Sequence, residues 1–404
     1  MKILVVCQYY YPEPFRITDI CESLVKRGHE VTVLTGLPNY PEGVILQEYR
    51  HGNKREEKLN GVNVIRCYEI GRGKSKIKLF LNYFSYATSA TLKTLRMKDQ
   101  YDVVLVNQLS PVMMGIPAIV YKKKFKKKIL FYCLDLWPDS LAAGGIKQSS
   151  LIYKFFYKIS KWIYNSADLL LITSSMFEHY FREVLKLNEV KIKHLPQYAE
   201  DLFTVNLEYN SSYSEENKTS NFVFAGNIGD MQSVETIIRA ANELKDIKNI
   251  LFHIIGDGSR LEDCKKLSNE LNISSIKFHG RRPVEEMPQY YAMADAMLIT
   301  LKANKTLSLT LPGKVQSYMA SGKPIIGAID GETRLVIEKA ACGFICEAEN
   351  YKALAKLINE FCMSNEREQM GRNAHNFYLD NYDKETFMNS IENALLDLEE
   401  NKNV

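Results

Sequence analysis

No CxxC pair occurs among the eight cysteines (positions 7, 21, 67, 133, 264, 342, 346 and 362), so zinc-ligand spacing is missing and the thiols are expected to be structural. Cys342 and Cys346, with no nearby histidine, read as a packing pair. The seven histidines show no ligand spacing either, and His29 reads as a residue at a helix end. No apolar run reaches the roughly 20 residues that a bilayer span needs, so the chain is expected not to cross a membrane. The opening MKILVVC lacks a separate basic segment and a small-residue cleavage site, which favours a first buried strand over a signal peptide and implies a cytosolic compartment. Charge of one sign is not in excess: the formal net charge is +4. No base-reading module is visible, and nucleic acid is not expected as a partner.

What is present is 404 residues with 46% hydrophobic and 25% charged side chains, enough for about two soluble domains with large cores. Short apolar runs alternate with amphipathic stretches, the pattern of βαβ units and parallel sheets. Strands are expected at 2–7, 31–35, 62–67, 103–107, 129–133 and 169–173, with 191–195 as an edge. A helix over 17–27 puts Ile17, Ile20, Cys21, Leu24 and Val25 on one face and ends at Gly28. Between 196 and 220 the periodicity fails and the text turns polar (NLEYNSSYSEENKTS), as a linker does. A second series follows: strands at 221–225, 250–255, 275–279, 296–300 and 324–328, a helix at 234–244, and helices to the end. The expected architecture is α/β, two doubly wound Rossmann-like domains at 1–198 and 199–404, the last helix packing back on the first. A cleft at the carboxyl ends of both sheets is where ligands of such sheets bind.

Within the second series, LSLTLPGKVQSYMASGKPII (307–326) joins a Pro312-Gly313 turn, a lone Lys314 and a small-residue helix to an apolar strand. First-turn N–H groups and Lys314 would meet a phosphate there; an ordinary loop-to-helix junction has the same pattern. Gly226-Asn227-Ile228-Gly229 and Gly256-Asp257-Gly258 follow strands, as phosphate loops and simple turns both do. Asp135 and Asp139 flank Trp137-Pro138, where a carboxylate either faces the cleft or caps a helix. Glu13 and Arg16 lie in the loop after the first strand, on the cleft side of this fold.

In order and spacing, GHEVTVLTGLPNYPEG, DLWPDS, FAGNIGDMQSVETII and PGKVQSYMASGKPI resemble the family-4 retaining glycosyltransferases of the GT-B fold over nearly the whole chain. The resemblance is closest to the branch that assembles bacterial O-antigen and capsule repeats, including N-acetylfucosamine transferases. It implies sugar transfer from a nucleoside diphosphate donor with retained configuration, donor on the C-terminal domain, acceptor on the N-terminal one, and no catalytic metal or cofactor. Where the family commonly carries two glutamates, for the donor sugar and the ribose, this sequence has Leu309 and Ser317. Ser317 or Gln316 would then meet the ribose, and Glu332 is the nearest replacement carboxylate in sequence. The family's diphosphate-gripping Arg and Lys appear here as Asn227 and Gln232, which shifts the negative charge onto the N–H groups of Gly226 to Gly229, onto Lys314 at Gly313, and onto Arg281 or Arg282. The usual histidine before Asp135 is Leu134.

Cations concentrate locally in RGKSKIK (72–78) and KKKFKKK (122–128), and aromatics interleave with lysine in YKFFYKISKWIY (153–164). Solvated helix ends would look the same. An anionic membrane surface at the inner face of the cell membrane suits a polyprenyl-diphosphate-linked saccharide acceptor. Against transfer of an N-acetylated deoxyhexosamine from a UDP- or GDP-sugar stand two rivals: a UDP-sugar 2-epimerase, which would need acid and base groups at a carbon centre, and a non-catalytic sugar-nucleotide or membrane-binding module.

Overall fold

The computed structural model describes residues 1–73, 75–204 and 219–400. Two compact units result: residues 1–195 together with the chain's end from Glu385, and Pro196–Lys384.

The first unit is built on β1 (Lys2–Val6), β2 (Glu30–Thr35), β3 (Glu56–Leu59), β4 (Val62–Arg66), β5 (Val103–Gln108), β6 (Lys128–Cys133), β7 (Leu169–Ile172) and β8 (Lys191–His194). Their spatial order is β3-β4-β2-β1-β5-β6-β7-β8, parallel throughout except for β3 against β4. Helices cover both faces, which is why β5 is buried at every residue and the inner strands read as unbroken Val, Ile and Leu. Strand order reverses between β1 and β5, so the loops leaving their carboxyl ends diverge and open space for a ligand.

The second unit holds β9 (Ser220–Ala225), β10 (Ile250–Ile255), β11 (Ile276–Gly280), β12 (Ala296–Thr300), β13 (Ile325–Ala328) and β14 (Gly343–Cys346), all parallel in the order β11-β10-β9-β12-β13-β14. Its reversal lies between β9 and β12.

Two strands have no counterpart in the sequence reading. β3 is EEKL, an antiparallel edge whose charged side chains hide it from any apolar pattern. β14 lies where only helices are expected; it is four residues long, and a Cβ on Gly343 would come 1.8 Å from the Ile325 carbonyl oxygen, so close pairing requires the glycine. The polar linker falls mostly on residues 205–218, outside those described.

The helix Lys384–Glu400 is in the second domain by sequence range and in the first unit by contact. It buries Phe387, Met388, Ile391, Ala394 and Leu395, and Phe387 packs 5.7 Å from the Tyr132 ring of β6. Arg27 and His29 bind its Glu392 at 2.5 and 2.7 Å. Among the described residues no helix is long and apolar enough to cross a membrane.

Candidate functional site

In the second unit β9 ends at Ala225, and the chain turns through Gly226, Asn227, Ile228 and Gly229 beside the strand-order reversal. Gly226 has φ +143°, and a Cβ there would lie 2.7 Å from Lys314 Nζ. At this φ glycine is favoured, and the lysine end occupies the space a Cβ would take. The helix Gly313–Ala320 delivers Lys314, and Tyr318 fixes that helix to the strand: the Ala225 N–H donates to Tyr318 Oη at 3.2 Å, and Oη donates to the Ala225 carbonyl at 3.0 Å. Pro312 enters in extended backbone, and no side chain caps the first turn. The Val315 N–H donates to the Pro312 carbonyl at 2.9 Å, and the positive end of the helix dipole lies at the residue whose side chain reaches Gly226.

The neighbouring positions add no charge. Asn227 Nδ2 donates to Gln232 Oε1 at 3.1 Å, and the two amides close over Gly229, where a Cβ would lie 2.7 and 2.9 Å from them. Lys302 turns to Asp230 at 2.6 Å, a hydrogen bond that holds that carboxyl below its usual range, and Arg260 lies 4.0 Å from the same carboxylate. Lys314 Nζ instead stands 4.1 Å from the centroid of the Phe224 ring. Burial with no counter-charge lowers its pKa to about 7.

Gln316 is buried and folds back on its own turn; with its amide oriented to satisfy both ends, its nitrogen donates to the Pro312 and Gly313 carbonyls at 3.1 Å each. Ser317 Oγ donates to Glu200 Oε2 at 3.2 Å. A carboxylate thus reaches position 317 in space from a residue 117 positions earlier, and nothing in the sequence spacing signals it. Glu332 is buried at the start of the helix Glu332–Ala340. The segment carrying Leu309 packs against that start: a Cβ on Gly331 would lie 1.9 Å from the Ser308 carbonyl oxygen, and Thr333 Oγ1 donates to the Thr310 carbonyl at 3.3 Å. Arg281 and Arg282 follow β11, two strands from β9 and so about 10 Å across the sheet. Both are exposed, and Arg282 Nε donates to the His279 carbonyl at 3.1 Å.

In the first unit Asp135 follows β6. Its Oδ2 accepts from Ser110 and its Oδ1 from Ser140 at 2.5 Å, while Trp137 Nε1 donates to Ser110 Oγ at 2.7 Å. Burial raises the Asp135 pKa, and the two serine hydroxyls oppose the rise. Asp139, not Asp135, opens the short helix Asp139–Ala143. Glu13 is buried, and its Oε1 accepts from the N–H groups of Asn39 at 2.9 Å and Tyr40 at 2.7 Å, which ties the loop after β1 to the loop after β2. Burial pushes its pKa up to about 7 against the pull of those donors. Arg16 sits at the N-cap of the helix Ile17–Lys26, its charge opposing the rise that burial gives the Tyr132 phenol.

Two family models match the chain in succession: Glycosyltransferase Family 4 over residues 16–197 and Glycosyl transferases group 1 over residues 207–377. A Pseudomonas aeruginosa protein named as a glycosyltransferase, WbjE, is 29% identical over 62% of this chain and 63% of its own length, so the alignment spans under two thirds of that relative. A protein of Escherichia coli K12 named as a glycosyl transferase of colanic acid biosynthesis, WcaI, is 22% identical over 86% of each chain. Among solved structures, sucrose-phosphate synthase of Thermosynechococcus elongatus superposes with TM-score 0.75 at 16% identity over 98% of both chains. HepE of Anabaena, solved with UDP, gives TM-score 0.71 at 16% identity over 98% of this chain and 100% of that one.

Proposed function

From a chain that joins a glycosyltransferase family 4 domain to a group 1 glycosyl transferase domain in the GT-B fold, we propose that it is a retaining glycosyltransferase using the UDP- or GDP-sugar of an N-acetylated deoxyhexosamine. The acceptor in this reading is a polyprenyl-diphosphate-linked oligosaccharide of O-antigen or capsule assembly. The observation that carries it is Lys314 Nζ against Gly226 at an uncapped helix start, beside a neutral Asn227 and Gln232 pair. That arrangement offers a diphosphate one cation and several N–H dipoles. Two structural neighbours support the same reading: HepE was solved with UDP-glucose, and WaaG is a glycosyltransferase involved in lipopolysaccharide biosynthesis.

The residues divide the work by charge. A nucleoside diphosphate donor carries about two negative charges, and more develops on the leaving diphosphate as the glycosidic bond breaks. Lys314 and the first-turn N–H groups of Gly313 and its neighbours oppose that charge, and their help grows toward the transition state. Glu200, held by Ser317, offers a carboxylate to sugar or ribose hydroxyls. In the first unit Asp135, whose pKa burial raises, is the group that orients or deprotonates the acceptor hydroxyl. No metal or cofactor is assigned a part.

The test is mass spectrometry of donor, lipid acceptor and protein after incubation of the full chain with a panel of UDP- and GDP-sugars. Sugar on the lipid is expected, with Asp135→Asn reducing kcat about 100- to 10,000-fold. An epimerised donor or no turnover across the panel refutes transfer, and Asp135→Asn within about threefold of wild type removes Asp135 from the chemistry.

A further inference from the structure

In the first unit the loops after β1 and β4 meet the second turn of the helix Lys76–Arg96 around a cation that no carboxylate balances among the described residues. The Arg72 guanidinium stands 5.9 Å from the centroid of Tyr9 and 5.5 Å from that of Tyr40, with no ion pair among the described residues. Its backbone is anchored by an N–H bond to Asn39 Oδ1 at 3.0 Å. Tyr9 is buried, yet its hydroxyl has no hydrogen-bond partner among the described residues. Burial raises the Tyr9 and Tyr83 phenols, and the Arg72 charge pulls both down, so both hydroxyls lie within its field. The Asp135 charge pushes Tyr83 up, so that phenol also lies within the field of the carboxylate assigned to the acceptor. The two other carboxyls facing Tyr9, Glu13 and Glu69, are buried and held up in pKa, and Glu69 is packed among the amides of Gln8, Asn39 and Asn82.

An apolar surface adjoins this group. Ile77, Phe80 and Leu81 on the helix Lys76–Arg96 and Leu151, Ile152 and Phe155 on the helix Leu151–Asn165 are all exposed. Ring contacts run from there to the polar cluster: Phe80 to Phe156 at 6.4 Å, Phe156 to Trp137 at 5.6 Å, and Trp137 to Tyr83 at 6.3 Å.

We infer that Arg72, with the hydroxyls of Tyr9 and Tyr83, binds the phosphate end of a lipid-linked acceptor whose chain lies on the Phe80 and Phe155 surface. The inference rests on the lipid-acceptor reading above. A guanidinium held by aromatic faces keeps its fork free for two phosphate oxygens, and two phenol O–H groups supply further donors. Tyr83 packs 6.3 Å from the Trp137 ring, whose Nε1 donates to the Ser110 hydroxyl that binds Asp135, so a saccharide on the phosphate would extend toward that carboxylate.

The test is equilibrium binding of farnesyl diphosphate, farnesol and inorganic diphosphate to the full-length protein and to Arg72→Gln, Arg72→Lys and Tyr9→Phe. Wild type is expected to prefer farnesyl diphosphate over farnesol by about 10- to 100-fold, the scale of one charge-assisted hydrogen-bonding group. Arg72→Gln should erase most of that preference, Arg72→Lys should retain part of it, and Tyr9→Phe should lose severalfold. Farnesol binding as tightly as the diphosphate, or an unchanged preference in Arg72→Gln or in Arg72→Lys and Tyr9→Phe together, overturns the assignment. Inorganic diphosphate binding as well as the farnesyl ester overturns the lipid part. UDP and GDP calorimetry on the same proteins separates the two readings: a wild type that binds nucleotide and transfers sugar but does not discriminate farnesyl diphosphate from farnesol removes this site alone, and wild-type discrimination without transfer removes the activity and keeps the site.

Discussion

Lys314 shows how far one side chain's surroundings shape its chemistry. In the free protein its pKa of about 7 leaves the ammonium charged below that pH and largely neutral above it, because burial is not offset by a carboxylate among the described residues. A bound diphosphate favours the charged form and lifts the pKa, so binding above pH 7 takes up a proton. We expect UDP or GDP affinity in wild type to weaken as pH rises from 7 to 9, nucleoside affinity to stay level, and Lys314→Ala to be weak and flat across the range by calorimetry. Lys314→Ala should also lower kcat by about one to three orders of magnitude, the 2–4 kcal/mol scale of one preorganised electrostatic group, with Lys314→Arg restoring part. Unchanged turnover and diphosphate affinity in a folded Lys314→Ala protein would return this turn to a plain loop-to-helix junction. The lysine was legible in the sequence because Pro-Gly-Lys before a helix is a local signal. The Asn227 to Gln232 pairing and the Glu200 to Ser317 bond were not, since each depends on how side chains from separate segments close on one another.

Elements decide which of the basic clusters belong together. The cluster 122–128 ends the helix Ile116–Phe125 and begins β6, at the amino end of the parallel sheet. Its Lys122 and Lys128 bind Asp168 at 2.7 and 3.2 Å, and Lys124 donates to the Leu95 and Met97 carbonyls at 2.7 and 2.6 Å. The helices Lys76–Arg96 and Leu151–Asn165 begin at the opposite, carboxyl end, where Lys78, Lys154 and Lys158 are exposed beside the apolar side chains Phe80, Leu151 and Phe155. Pairing 72–78 with 122–128, as the sequence suggests, therefore joins opposite ends of one sheet. Cations near anionic headgroups contribute about 1 kcal/mol each, so Lys154→Glu with Lys158→Glu should abolish most partition onto anionic liposomes, while charge reversal at Lys123 and Lys127 should leave it nearly intact. High salt should release the wild type. Equal partition of wild type onto neutral and anionic vesicles, or greater loss from the 123 and 127 changes, would count against this face.

At the scale of the whole molecule, the chain's return to its first unit governs which fragments stand alone. Residues 196–384 enclose β9 to β14 and Lys314 and should bind UDP or GDP by calorimetry without the rest; failure of a folded fragment to bind removes the nucleotide from this unit. Residues 1–195 without the helix Lys384–Glu400 leave the surface under Phe387, Met388, Ile391 and Leu395 open. At about 1.5–3 kcal/mol per fully buried large apolar side chain, that loss rivals the 5–15 kcal/mol that hold a typical domain folded. A stable, cooperatively melting 1–195 fragment would show that the returning helix is dispensable.

Much of the fold was written locally. Strands β1, β2, β5, β6 and β7 and strands β9, β10, β12 and β13 are apolar runs because parallel strands are covered on both faces, and the reversal of their order set where the phosphate loop would fall. β3 and β14 escaped because an edge strand buries too little to require an apolar signature. The residue types at the site were also plain in the text: Lys314, Asp135, and the neutral Asn227 and Gln232 where the resembling family has cations. Only the tertiary structure decided which of these meet. It set Lys314 against Gly226, gave Asp135 to Ser110 and Ser140, turned Gln316 inward, brought Glu200 to Ser317, and left Arg72 on Tyr9 and Tyr40 with no ion pair among the described residues. Hydrogen bonds and pKa shifts depend on distances of a few ångströms between residues far apart in the chain, and no local pattern of residue types encodes those distances.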